Sequence, residues 1–170
     1  MVDTDYATNK EDRKSITGTI HTVGGTITAW QSKSQATVTL SSTEAEYIGM
    51  ASGLQEILFM HMLLDEIDGS IRPGVEVEDN QGAMFLVKNQ SVGPRTKHID
   101  VRHHFIRQHY ENGDVDAVYT RSENNEADIN TKNLPEALQM KHAEKIRNGM
   151  LYVREHWDEM MQDIATKKVA

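Results

Sequence analysis

"TLSSTEAEYIGMASGLQEILFMHMLLDEI" runs from Thr39 to Ile67. Met50, Leu54, Ile57, His61 and Leu64 recur at spacings of 4, 3, 4 and 3, the stripe an amphipathic helix turns toward a core. One turn before Met50, on the same stripe, stands Glu46. Glu46 and Leu64 are eighteen residues apart, a whole number of turns, so they share a direction, whereas Glu44 points away. Two readings of Glu46 are open. Thr43 and Glu46 have the S/T-x-x-E spacing of a capping box, which would make Glu46 structural, but Ser41 and Glu44 have it too. Alternatively, a carboxylate aimed inward needs a partner, and a metal ion is one.

Around this helix the chain alternates. "SITGTIHTV" and "TITAWQSK" are rich in β-branched residues, and Gly24-Gly25 between them predicts a hairpin. "DGSIRPG" breaks the long helix. "VEVEDNQ" is a short strand ending at Asp79, and "GAMFLVKN" is a short helix after it. "VGPRT" is a loop, and "KHIDVRHHFIRQHYENG" is a helix stopped by Gly113. "DVDAVYT" is a strand, "RSENN" a loop, and "EADINTK" opens another helix. The tail after Asn133 is helical and charged, with Leu134, Leu138, His142 and Ile146 on one stripe. A hairpin-rich start followed by strand–helix alternation predicts an α/β fold, a mixed sheet covered by helices.

The 170 residues suit one domain with its own core. No apolar run reaches the ~18 residues of a membrane span, and "MVDTDYATNK" lacks the apolar centre of a signal peptide. The absence of cysteine excludes disulfides and thiolate metal sites and suggests a reducing compartment. The net charge of −8 weighs against a generally basic nucleic-acid binder. A local basic surface remains: Lys88, Arg95, Lys97, Arg102 and Arg107 cluster with His98, His103, His104 and His109. None of these histidines is paired at i, i+4 and no H-E-x-x-H occurs, so zinc is not expected. His98 and His109 share a side with Phe105 and are expected to pack.

Other carboxylates fall at element ends. Asp3 and Asp5 open the chain. Asp79 ends a strand, where ligands gather in sheets with parallel strands. Asp128 lies in the first turn after "RSENN", a place where dipole stabilisation alone could explain it.

"TLSSTEAEY", "EDNQGAMFL", "RTKHIDVRHHFIRQ" and "NEADINTK" resemble, in order, the ribonuclease H domain of Ty1/copia-type retrotransposon Pol polyproteins. The opening "VDTDYATNKEDRKSITGTIHTVGGTITAWQSKSQ" is similar too. The resemblance covers residues 2 to about 151, which implies a domain over 1–151 and leaves 152–170 as a charged helical tail. It implies a ribonuclease H-like fold, a five-stranded mixed sheet flanked by helices. It implies that Asp3, Glu46, Asp79 and Asp128 are catalytic and hold two Mg²⁺ ions, with Mn²⁺ a possible substitute. The implied reaction is two-metal hydrolysis of the RNA strand of RNA–DNA hybrids during reverse transcription. Ser42, Thr43, Asn80 and Gln81 match substrate-contacting positions, suited to reading a 2′-hydroxyl. Capping and turn formation would explain these four as well. The implied partners are hybrid and a linked or neighbouring reverse transcriptase domain, in cytoplasmic virus-like particles. The rival expectation is a non-catalytic hybrid-binding or tethering module. Cellular ribonucleases H carry a histidine in the loop before the last aspartate, and "TRSENNEA" has none.

Overall fold

The computed structural model describes residues 1–69, 73–89, 97–149 and 151–169. Three antiparallel strands, β1 (Val2–Asp5), β2 (Ile16–Val23) and β3 (Thr26–Ser34), form one sheet in the order β1-β2-β3. β4 (Gly74–Glu78) and β5 (Val115–Tyr119) form a parallel pair. The helices are α1 (Ser42–Asp68), α2 (Gln81–Lys88), α3 (Lys97–Asn112), α4 (Glu136–Asn148), α5 (Tyr152–Glu155) and α6 (Trp157–Val169).

The hairpin turns where the sequence places it. Gly24 and Gly25 adopt φ of 58° and 78°, a left-handed pair that glycine enters without strain and that matches the twist of β2 and β3. In α1, Met50 and Leu54 are fully buried, and Ile57, His61 and Leu64 are half-buried along the expected stripe. The capping question resolves in favour of Ser41. Its Oγ accepts from Glu44 N at 3.1 Å, and Glu44 reaches back to accept from Leu40 N at 2.8 Å. Glu46 takes no part in the cap. Ser41→Ala is therefore expected to cost about 1 kcal/mol of stability, read as a lowered midpoint in urea with an unchanged slope; an unchanged midpoint would contradict the cap.

The predicted single sheet appears as two ladders. β1 runs alongside β4, but among the described residues no ladder joins them. Asn125 Nδ2 donates to Val2 O at 2.7 Å, so a side chain satisfies this β1 carbonyl. The helix expected at "EADINTK" is a 3-10 turn, Glu126–Asn130. It stops because Thr131 leaves helical geometry and because Pro135 disfavours helix in Leu134, so α4 starts at Glu136. The loop "VGPRT" lies outside the described residues.

Helices cover both sides. Tyr47, Met50 and Leu54 of α1 pack with Met84 of α2, Ile106 of α3 and Val115 of β5. On the other side Val77 and Val118 meet Val153, Met160 and Ile164, so the C-terminal segment contributes to a core. β4 lies between these layers. Strand alternation sends Val77 to one side and Glu76 and Glu78 to the other, toward α1. α1 lies close to β1 because Gly49 and Gly53 face it: a methyl at Gly49 would stand 2.6 Å from Thr4 Oγ1.

Candidate active site

Four carboxylates foreseen as a group arrive from four elements. Asp3 sits mid-β1, paired in register with Gly18. Gly18 leaves room for the 3-10 turn; a methyl there would lie 2.6 Å from Thr131 Cγ2 and 2.9 Å from Ala127 O. That close approach carries Asp128 to Asp3. Asp79 follows the last residue of β4. Glu46 is in the second turn of α1, which Gln35 ties down by donating from Nε2 to Ala45 O at 2.8 Å and to Thr17 Oγ1 at 2.9 Å.

Single oxygens of Asp3, Asp79 and Asp128 lie within 4.8 Å of one another, and so do single oxygens of Glu46, Glu78 and Asp79. Asp79 belongs to both groups. Asp3, Glu46, Glu78 and Asp128 are buried, and Asp79 is half-buried. Asp5 joins neither group.

Such crowding of anions needs compensation. At the first group Lys132 supplies it: its Nζ donates to Asp3 Oδ1 at 2.8 Å and to Asp128 Oδ1 at 3.1 Å. Thr131 Oγ1 also donates to Asp3 Oδ2. Burial opposes the ammonium charge, but Asp3 and Asp128 outweigh it and raise the Lys132 pKa. Burial and then Asp3 push Asp128 up to about 7, against the opposing pull of Lys132. At the second group protons do the work. Burial, then Asp3 and Asp79, push Glu46 up to about 9. Burial and then Glu46 raise Glu78 well above the carboxylate range.

Folded Glu46 keeps its proton to about pH 9, whereas the unfolded side chain sheds it near its model value of 4.5. The folded state therefore binds more protons in this window, and its stability falls as pH rises through it. Asp128 acts in the same direction between 3.8 and about 7. Glu46→Gln mimics the protonated form and should flatten the decline. Melting midpoints of both proteins in chelator from pH 5 to 9 test this; parallel curves would refute it.

The four rim residues divide. Ser42 is exposed and Thr43 half-buried at the start of α1. Asn80 Oδ1 caps α2 by accepting from Ala83 N at 2.9 Å, and Gln81 is exposed beside it. The two helix starts meet at Gly82, where a methyl would lie 2.7 Å from Thr43 Oγ1 and 3.1 Å from Asn80 Oδ1. Polar groups thus flank the mouth next to Asp79.

Two participants were not foreseen. Lys132 had one available signal, its i, i+4 relation to Asp128. Glu78 had none beyond its neighbour Asp79. The histidines divide between packing and surface. His109 stacks edge-on against Phe105 with centroids 5.0 Å apart, and its Nδ1 lies 2.7 Å from Asp114 Oδ2. His104 is exposed. The side chains of Lys97, His98 and His103, and the whole of Arg95, lie outside the described residues. Of the rest of the basic cluster, Lys88 is exposed, and Arg102 and Arg107 are half-buried.

In a comparison with curated proteins, the chain is 38% identical over 133 residues to the retrovirus-related Pol polyprotein from transposon TNT 1-94 of Nicotiana tabacum, covering 78% of this chain and 10% of that protein. It is 37% identical over 145 residues to the corresponding polyprotein from transposon RE1 of Arabidopsis thaliana, covering 85% of this chain and 10% of that one. A third relative, from transposon RE2 of Arabidopsis thaliana, is 36% identical over 133 residues. The chain spans about a tenth of the length of these relatives. No family model and no solved structure matches it.

Proposed function

We propose that this chain, which corresponds to one region of retrovirus-related Pol polyproteins from plant transposons, is a ribonuclease H: it hydrolyses the RNA strand of RNA–DNA hybrids during reverse transcription. The observation that carries the reading is the meeting of Asp3, Glu46, Asp79 and Asp128 in two overlapping groups that share Asp79. The fold supports it as well. The strands follow as β3-β2-β1 and then β4-β5, with β1 beside β4 and helices on both sides, which suits a ribonuclease H-like sheet.

The residues fit divalent magnesium, with manganese as substitute. The donors are all oxygens, as a hard cation requires. Glu46 Oε2 is buried with no hydrogen-bond partner, a cost that a cation would remove. Asp3, Glu46, Asp79 and Asp128 would hold two ions. When bound, such ions supply positive charge to the phosphate and to the attacking and leaving oxygens. The protein does the rest. Burial of the carboxylates fixes their orientation and keeps bulk water from screening them. Lys132 holds Asp3 and Asp128 together at the lip. Ser42, Thr43, Asn80 and Gln81 offer short donors and acceptors at the mouth, where the 2′-hydroxyls that distinguish RNA from DNA would be read. In-line attack by water would leave 5′-phosphate and 3′-hydroxyl ends.

In this proposal residues 1–151 make up the nuclease unit, and α5 and α6 buttress it. The unit works next to a reverse transcriptase domain, inside cytoplasmic virus-like particles. Incubation with end-labelled RNA–DNA hybrid, duplex DNA and duplex RNA in Mg²⁺ tests the activity. Cleavage confined to the RNA of the hybrid is expected. Hybrid binding without cleavage would replace the reading with a tethering module.

A further inference from the structure

Glu78 stands out among the carboxyl groups of the site because one of its oxygens is engaged by backbone and the other is not. It ends β4 and is fully buried. Its Oε1 accepts from Asp79 N at 3.1 Å and from Asn80 N at 2.9 Å. These bonds fix the carboxylate and shape the turn that presents Asp79. Its Oε2 has no partner although it is equally inaccessible to water. Glu46 faces it across the gap between α1 and β4, and Glu46 Oε2 is likewise buried and unpartnered. Oxygens of Glu46, Glu78 and Asp79 come within 4.8 Å of one another. Buried polar atoms are rarely left without partners, and two facing carboxylates each leave one here.

Asp3 and Asp128 already share the Lys132 ammonium. Among the described residues, no salt bridge reaches Glu46 or Glu78. Glu76 supplies an internal comparison. It lies two residues before Glu78 on the same side of β4, is buried to the same degree and likewise leaves one oxygen, Oε1, buried without a partner, while Tyr110 donates its hydroxyl to Oε2 at 3.1 Å; yet Glu76 is absent from both carboxylate groups. A buried glutamate on this strand is therefore not sufficient to form the site; position next to Glu46 and Asp79 is.

We infer that Glu78 is a fifth carboxylate of the site, a direct ligand to one divalent cation that it shares with Glu46 and Asp79. This rests on the ribonuclease H reading, in which Glu46 and Asp79 hold metal, and adds a residue to it. The consequence is an asymmetric pair of loci. One is built on Asp3, Asp79 and Asp128 with an ammonium in attendance. The other is built on Glu46, Glu78 and Asp79 with carboxylates alone.

The test is Mn²⁺ binding to the intact chain, followed by calorimetry and by electron paramagnetic resonance of free Mn²⁺, with Glu78→Gln as the variant. Gln keeps the oxygen that accepts from Asp79 N and Asn80 N, so a residue that only shapes the turn survives the change. A ligand does not. Wild-type protein should take two ions, and Glu78→Gln should bind one of them at least about 10–100-fold more weakly, since loss of even an outer-shell partner of a metal site costs that much. Glu76→Gln should bind both as wild type does. Two ions bound with unchanged affinity by Glu78→Gln would overturn the inference while leaving the ribonuclease H reading intact. Wild-type protein that binds no Mn²⁺ would overturn both. Failure of Glu78→Gln to fold at neutral pH would show that the fold itself, not a cation, requires the carboxyl group, and would also overturn it.

Discussion

Asp79→Asn should reduce Mg²⁺-dependent cleavage of an RNA–DNA hybrid by a factor on the order of 10³, equivalent to about 4 kcal/mol of lost transition-state stabilisation. Asp79 is the one residue common to both carboxylate groups, so its loss weakens both loci together. Its backbone N–H, held by Glu78 Oε1, is untouched by the change. The turn should therefore persist. Removing one anion from a crowd also relieves the repulsion that Glu46 and Glu78 feel from it, so the melting temperature in chelator should hold or rise. Single-turnover cleavage rates alongside thermal melts separate the two effects. Cleavage within a few-fold of wild type would remove Asp79 from the chemistry.

Lys132→Met is expected to act in opposite directions with and without metal. In chelator it leaves Asp3 and Asp128 facing each other without their shared ammonium. Breaking a fully buried pair costs about 3–5 kcal/mol. Here the lysine side chain is 33% exposed, so screening reduces the loss to about 2 kcal/mol, a drop of about 5 °C in a domain of this size. In Mg²⁺ the cation faces no tethered competitor, so its dissociation constant should tighten and the stability deficit should shrink. Melts in chelator and in saturating Mg²⁺, with a Mg²⁺ titration, give both readings. Equal melting points in chelator together with unchanged affinity would show that Lys132 is a bystander.

Local pattern made much of the fold legible. The 4-3-4-3 stripe placed α1, and Gly24-Gly25 placed the hairpin, because each is decided by neighbours in sequence. Strand alternation in "VEVE" was less informative. It ordinarily separates a wet side from a dry one, but β4 is covered on both sides, and Glu76 and Glu78 point to the α1 side. Burial of carboxylates there depends on α1, which no spacing within β4 encodes. The sequence at Asp128 predicts the opening of a helix, whereas Thr131 and Pro135 limit it to a 3-10 turn. The seam between β1 and β4 was not visible either, since it depends on Asn125 reaching a β1 carbonyl. The gathering of the acids came from family resemblance. Periodicity says which way Glu46 points, but not what it meets.

The bonds that close the site join distant parts of the chain. Thr131 and Lys132 reach Asp3 across separations of 128 and 129 residues, with Gly18 holding the intervening turn against β2. Contacts of such long range carry the largest loop-closure entropy and tend to form late in folding. During synthesis the first strand must wait, with its aspartate exposed, until the 3-10 turn has left the ribosome. A truncated translation product that ends before this turn retains the hairpin and α1 but lacks Asp128 and the lysine tether. Assembly of the acidic centre thus becomes a checkpoint on translation: only chains synthesised past Lys132 bring Asp3 and Asp128 together under one ammonium, and on the proposed ribonuclease H reading only these would cleave.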